Sequence, residues 1–189
     1  KGTSYAINNS FASGGTTAFT NSGVITKNAT GNITSTGAFS TTGDVNLAAN
    51  ITTTDTNLTI GGNLVIAEAA TPTLSTGAGT AGNVTVTGTS NGTTGGVAET
   101  LTVQAGTGTV TFTGNVGNNA NGTELEALTL TNAAATTFSG TLDLANALTQ
   151  TNAATGATTF TGAVSVGSAD LKGTSYAINN SFASGGTTA

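Results

Sequence analysis

LTLTNAAATTFSGTLDL, running from Leu128 to Leu144, carries the pattern that decides the fold. It opens on Leu-Thr-Leu, reaches Phe138 followed by Ser-Gly, and closes on Leu142-Asp-Leu144. The stretch before it, LTVQAGTGTVTFTGNVG (101–117), does the same around Phe112, and the stretch after it, LTQTNAATGATTFTGAVSV (148–166), around Phe160. These Phe residues stand 26 and 22 positions apart, and a weaker fourth copy leads from Leu171 to Phe182, another 22 on. The N-terminal half is less regular, although Phe19 and Phe39 are 20 apart. Apolar residues fall at period two throughout: Val45-Asn-Leu47, Leu58-Thr-Ile60, Leu64-Val-Ile66, Val84-Thr-Val86, Val110-Thr-Phe112, Val164-Ser-Val166. Alternation of this kind puts one face of a strand inward and the other outward. Thr and Val suit such strands because a branched Cβ fits the pleat. Gly, Asn, Asp and Ser fill the gaps between strands, as turns require. TELEALTL (123–130) comes closest to a helical period and is too short to sustain one.

A second repeat encloses the first. Lys1 to Ala18 reads KGTSYAINNSFASGGTTA, and so does Lys172 to Ala189, 171 positions later. The expected organisation is one tandem repeat unit over 1–171, a continuous β-solenoid, followed at 172–189 by the start of the next identical unit. The chain then reads as a window on a longer array. Arrays of this kind bury their core between neighbouring coils and act through the assembly rather than through a pocket. A coil of roughly 20–26 residues with two or three short strands is what a solenoid needs, with strands of successive coils about 4.8 Å apart. One unit would hold about seven to nine coils and advance roughly 35–45 Å along the axis.

Composition removes several classes of function. There is no His, Cys, Met, Trp or Arg, and three Lys against eight acidic residues leave a net charge of -5. Three lysines cannot neutralise a phosphate track, so a nucleic-acid partner is not expected. The imidazole base, the thiolate nucleophile and the usual zinc ligands are missing. No apolar run approaches the roughly 20 residues that span a bilayer, so no membrane insertion is expected in this segment. Any signal or anchor is expected elsewhere in the parent protein. Thr makes up roughly a quarter of the chain and Pro occurs once, at Pro72, far from average globular usage. Asn-x-Ser/Thr sequons at Asn8, Asn28, Asn32, Asn50, Asn57, Asn83, Asn91, Asn121 and Asn179 read mostly as chance in a chain this rich in Asn and Thr.

Disorder is the first alternative, given the low charge and high Gly, but the regular Val/Leu/Ile alternation opposes it. An array of β-sandwich domains would show linkers between groups of about seven strands, and none divides the unit. A stacked-chain amyloid shares the same local physics and is not separated by sequence. The Leu-Thr-x-Thr-Asn-Ala-Ala … Thr-Thr-Phe-Ser/Thr-Gly … Val-x-Val rhythm, clearest from Leu101 to Leu171, resembles bacterial β-strand-repeat surface proteins. These are the passenger stalks of autotransporters and filamentous haemagglutinin-like secreted proteins. The resemblance is one of texture and not of a signature motif. It implies an all-β, right-handed parallel β-helix, secreted and used for adhesion or as a fibre. The exact repetition of a 171-residue unit departs from the irregular coils of those families.

Individual constellations read as structural. Glu124 and Glu126 are neighbours on one strand face, and paired carboxylates can serve as acid and base. With no basic or aromatic residue near them in sequence, a solvated outer face accounts for them better. Gly61-Gly62-Asn63-Leu64 and Gly43-Asp44 lack the Gly-Gly-x-Gly-x-Asp nonapeptide of a calcium β-roll. Gly77-Ala-Gly79 and Gly95-Gly96 match no phosphate loop and read as corners. Asn132 and Asn152 occupy matching places and are candidates for a stacked amide ladder, with two ordinary turn asparagines as the alternative. Phe11 is expected in the core; Tyr5 is compatible with core or surface, and the same holds for their copies Phe182 and Tyr176. No catalytic, cofactor or metal residue is expected, and no enzyme. The expected role is structural, a segment of a tandem-repeat extracellular fibre, stalk or sheath on a bacterial surface. Its expected partner is itself, end to end and side by side. An adhesin module and a functional amyloid of a biofilm matrix are the alternatives.

Overall fold

A computed structural model describes residues 2–79, 82–93, 98–118, 122–123, 125–151 and 157–186. Twenty-two strands and no helix occur among them, and every strand pairing is parallel. Each strand pairs with the one a coil earlier and a coil later, which makes the chain a parallel β-solenoid with three strand columns. The first face begins at Tyr5–Ile7, the second at Phe11–Ser13 and the third at Thr17–Phe19. Parallel neighbours need a long crossover; here the rest of the coil supplies it.

The first face gives the coil length directly. Tyr5 pairs with Ile25, Ile25 with Val45, Val45 with Leu64 and Leu64 with Ser90. The column continues through Val116, Leu142, Val164 and Phe182. The widest steps are those from Leu64 to Ser90, Ser90 to Val116 and Val116 to Leu142. The tightest, from Val164 to Phe182, is slightly shorter than the sequence indicates. There are about eight turns in all, in line with the expected number.

Inward residues stack in continuous rows: Ile33, Ile51, Leu74, Val103 and Leu130 on the second face, and Ile60, Val86, Phe112, Phe138 and Phe160 on the third. All of these are buried in one core. Phe112, Phe138 and Phe160 lie ring on ring, with centroids 5.4 and 5.3 Å apart and planes 2° from parallel. Leu101, Leu128 and Leu148 also stack as the short repeat indicates. The fourth copy does not follow. Ile178 stands over Phe160, while Phe182 moves to the first face over Val164. Leu171 pairs with Gln150, so Ala169 is the residue over Leu148. The last coil closes on the first face between Val164 and Phe182, too early to carry the Leu-to-Phe spacing round to the same column. Similarly, Phe19 pairs with Thr41 and Thr17 with Phe39, although the two rings touch at 5.9 Å.

Corners set the axial fit. Gly62, Gly88, Gly114, Gly140 and Gly162 each stand two places before a first-face position and stack in a column. A Cβ on Gly88 would lie 2.6 Å from the backbone of Gly62, and one on Gly140 would lie 2.7 Å from that of Gly114. At a strand spacing of about 4.8 Å, two corners that turn the same way leave no room for a side chain between them.

Candidate functional site

Three features line up along the axis: the rows of outward hydroxyls, the side-chain ladders at the corners, and the open ends. Outward residues come from the middle of each short strand. On the third face these are Ser40, Thr59, Thr85, Thr111, Thr137 and Thr159, each directly above the last. On the second face Thr102, Thr129 and Thr149 form a shorter row. The result is two flat, uncharged hydroxyl strips at strand spacing.

Side-chain oxygens cap backbone N–H groups from coil to coil at the corners, an arrangement distinct from the stacked amide ladder expected of Asn132 and Asn152. Asn152 lies outside the described residues; Asn132 pairs with Gln104 at a register shift. The working positions are the residues just before strands. The Asn50 N–H donates to Asn32 Oδ1 (3.2 Å), and the Thr73 N–H to Asn50 Oδ1 (2.8 Å). Asn83 donates its N–H to Asn57 Oδ1 (3.0 Å), and Thr109 to Asn83 Oδ1 (2.9 Å). Asn63 donates to Asp44 Oδ1 (2.7 Å), Thr89 to Asn63 Oδ1 (2.9 Å), and Thr141 to Asn115 Oδ1 (3.0 Å). In each case a side-chain oxygen caps a backbone donor of the next coil, which a corner would otherwise leave unpaired. The sequence signal is Asn or Asp immediately before an apolar-x-apolar triplet, as in Asn57-Leu58 and Asn83-Val84. The fragments compared above with a calcium β-roll belong to this device: Gly43 and Gly62 are corner neighbours, and Asp44 caps Asn63.

Glu124 lies outside the described residues, as do Gly95, Gly96 and Asn121. Glu126 is half-buried, and its Oε1 accepts from Asn146 Nδ2. Its backbone N–H donates to the carbonyl of Glu99 one coil below (2.9 Å). Glu99, which the sequence reading did not single out, is buried and accepts from Thr93 Oγ1 at 2.5 Å. No group of three His, Cys, Asp or Glu able to hold a metal ion occurs among the described residues. No helix among them is long and apolar enough to cross a membrane.

Lys27 is the unexpected inward residue. It is fully buried in the first-face row between Ile7 and Leu47. Its ammonium donates to the carbonyls of Asn28 (2.7 Å) and Thr30 (2.8 Å) at the adjacent corner. Burial holds it below the ordinary lysine value. Tyr5 and Phe11 are both half-buried against the core, with Phe19 between them at 5.1 and 5.7 Å. In the C-terminal copy Tyr176 and Ile178 are 38% and 50% exposed, because no coil covers them.

No family model, curated protein or solved structure matches this chain.

Proposed function

We propose that the chain is a segment of a long extracellular fibre, stalk or sheath on a bacterial surface, and that its role is mechanical rather than catalytic. The observation that carries this reading is the segment that opens the chain and recurs at its end. The C-terminal copy stacks on the preceding coil as an ordinary continuation, with Ser175–Ile178 on Ala157–Phe160 and Phe182–Ser184 on Val164–Val166. Backbone hydrogen bonds run along the axis and a continuous apolar core runs inside them. A one-residue slip of any strand would place Thr inside and Val outside, so register resists sliding. The partner is a further copy, end to end, and a heterologous contact of this kind grows an open filament.

The flat Thr strip from Thr59 to Thr159 favours a second reading, an adhesin face that contacts a surface ligand. Binding of the isolated unit to cells or glycans, lost when Thr85, Thr111 and Thr137 become Lys, would select it. The fibre reading is tested by electron cryo-microscopy of the native material. It expects a layer line near about 4.8 Å together with a longer period in the range of about 35–45 Å. The short spacing alone, from identical stacked chains, indicates an amyloid; discrete beads with neither spacing overturn both.

A further inference from the structure

The two identical segments occupy different faces of the solenoid. In the first copy Tyr5–Ile7 lies on the first face and Phe11–Ser13 on the second. In the second copy Ser175–Ile178 lies on the third face and Phe182–Ser184 on the first. From Tyr5 the first-face column passes Ile25, Val45, Leu64, Ser90, Val116, Leu142 and Val164, which is seven turns. The chain then crosses the second face at Ser168–Leu171 and reaches Tyr176 on the third. One unit thus spans seven and two-thirds turns.

We propose that successive 171-residue units join with an offset of one third of a turn, so that each strip of one unit recurs in turn on all three sides of the fibre. This rests on the tandem-array reading above. Coil length enforces the offset. For the copies to be in phase, Tyr176 would have to stand on the first face, over either Val164 or Leu142. A coil closed between Val164 and Tyr176 would be much tighter than the tightest on that face, which runs from Val164 to Phe182. Three short strands would nearly fill it and leave almost nothing for corners, whereas the first coil spends Asn8 to Ser10 on one corner and Gly14 to Thr16 on the next. A coil closed between Leu142 and Tyr176 would be wider than the widest, such as Leu64 to Ser90. It would also have to expel the strand Val164–Leu171, whose Val164, Val166 and Ala169 are buried.

The offset leaves every contact inside a unit unchanged, because all its residues move together. Only the junction differs. The Ile-Thr-Lys strand of the following unit would cover Tyr176 and Ile178 on the third face, as Ile25–Lys27 covers Tyr5 and Ile7 on the first. The Thr strip of one unit, on the third face, reappears on the second face of the next and on the first face of the one after. Each step advances about 37 Å at a coil spacing of about 4.8 Å. A fibre so built has no unique side, and copies can bundle laterally in any of three directions with the same surface.

Cysteine pairs in a two-unit chain test the offset, since the sequence has no Cys of its own. Outward neighbours in adjacent coils stand within disulfide reach. Thr111→Cys with Thr137→Cys is the internal control, as the two are aligned within one unit. Thr159→Cys with Ala177→Cys and Ser165→Cys with Ala183→Cys report the offset junction. Ser165→Cys with Ala177→Cys, and Asp143→Cys with Ala177→Cys, report the two in-phase junctions. The expected result is near-complete closure of the control and of both offset pairs, with no closure of the in-phase pairs. Closure of an in-phase pair, or of the control without either offset pair, overturns the offset and leaves the solenoid fibre standing. Failure of the control itself removes the solenoid, and the offset with it.

Discussion

The coils from Ile25 to Ile66 and those from Leu101 to Val166 build the same solenoid by different means. The early coils step from Ile25 to Val45 and from Val45 to Leu64 on the first face, and their strands are only three residues long. Their inward hydroxyls sit at strand ends and are hydrogen-bonded at the corners: Ser35 Oγ to the Gly15 carbonyl (2.7 Å), Thr41 Oγ1 to Gly43 (3.2 Å), Thr53 Oγ1 to Thr56 (2.5 Å). The later coils take a longer path, stepping from Ser90 to Val116 and from Val116 to Leu142, and they include the long strand Leu142–Gln150. They hold stacked phenyl rings, and two buried hydroxyls, Thr136 and Thr158, lack a hydrogen-bond partner. The early coils fill their interior with branched aliphatics, strand-end hydroxyls and the single ring of Phe39. The later coils set Phe112, Phe138 and Phe160 at the same place in successive turns, and rings in register stack.

The widest gap between the two regions should appear on truncating a phenyl ring. Phe138 is packed from both sides by Phe112 and Phe160, and Phe138→Ala should cost about 3–5 kcal/mol. Phe19, at the half-covered first coil, should cost distinctly less on the same change; equal losses in urea melts would mean that neither the fuller burial nor the stack of Phe138 adds stability. At the corner column, Gly140→Val forces a side chain against the Gly114 backbone. A loss of about 1–3 kcal/mol is expected, while Gly14→Val, with open space around it, should be close to neutral by thermal melting.

Thr136 follows Val110 in the third-face row. Thr136→Val removes an unpartnered hydroxyl and should stabilise by about 1 kcal/mol; Ser35→Ala in the early coils should destabilise, and the comparison would collapse if both changes moved stability the same way. Asn83→Ala strips the cap from the Thr109 N–H, with an expected loss of about 0.5–1.5 kcal/mol and faster amide exchange at Thr109. Lys27→Met bears on pH rather than on a single melt. Because burial lowers the folded pKa, the unfolded chain binds the extra proton. The wild type therefore gains stability as pH rises from the folded value toward the ordinary lysine value. The difference between wild type and Lys27→Met should move in the wild type's favour over that alkaline window, and a pH-independent difference would show that the ammonium is not desolvated.

The contrast also explains what could be read in advance. The later coils announced themselves because Leu128 and Phe138 recur at a spacing close to one turn, and a bulky residue at a fixed place marks the period. The early coils have no such marker, and Val, Ile and Leu at period two look alike in any register. The corner caps leave only a faint local signal in the sequence, because their members are a full coil apart, as Asn32 is from Asn50 and Asn57 from Asn83, and Asn is common everywhere in the chain.

Alternation of apolar and small polar residues by itself determined short strands with one buried face, because a pleated strand has a period of two, and the coil-length recurrence of Leu and Phe pointed to a solenoid path. Which residue stands on which was decided only by the closed coil. Its length varies in the corners, so the register of each face depends on how the chain turns between strands. The same applies to the buried lysine, which the corner carbonyls of Asn28 and Thr30 accommodate. It applies equally to the displacement by a third of a turn that sets one sequence on different faces in its two copies.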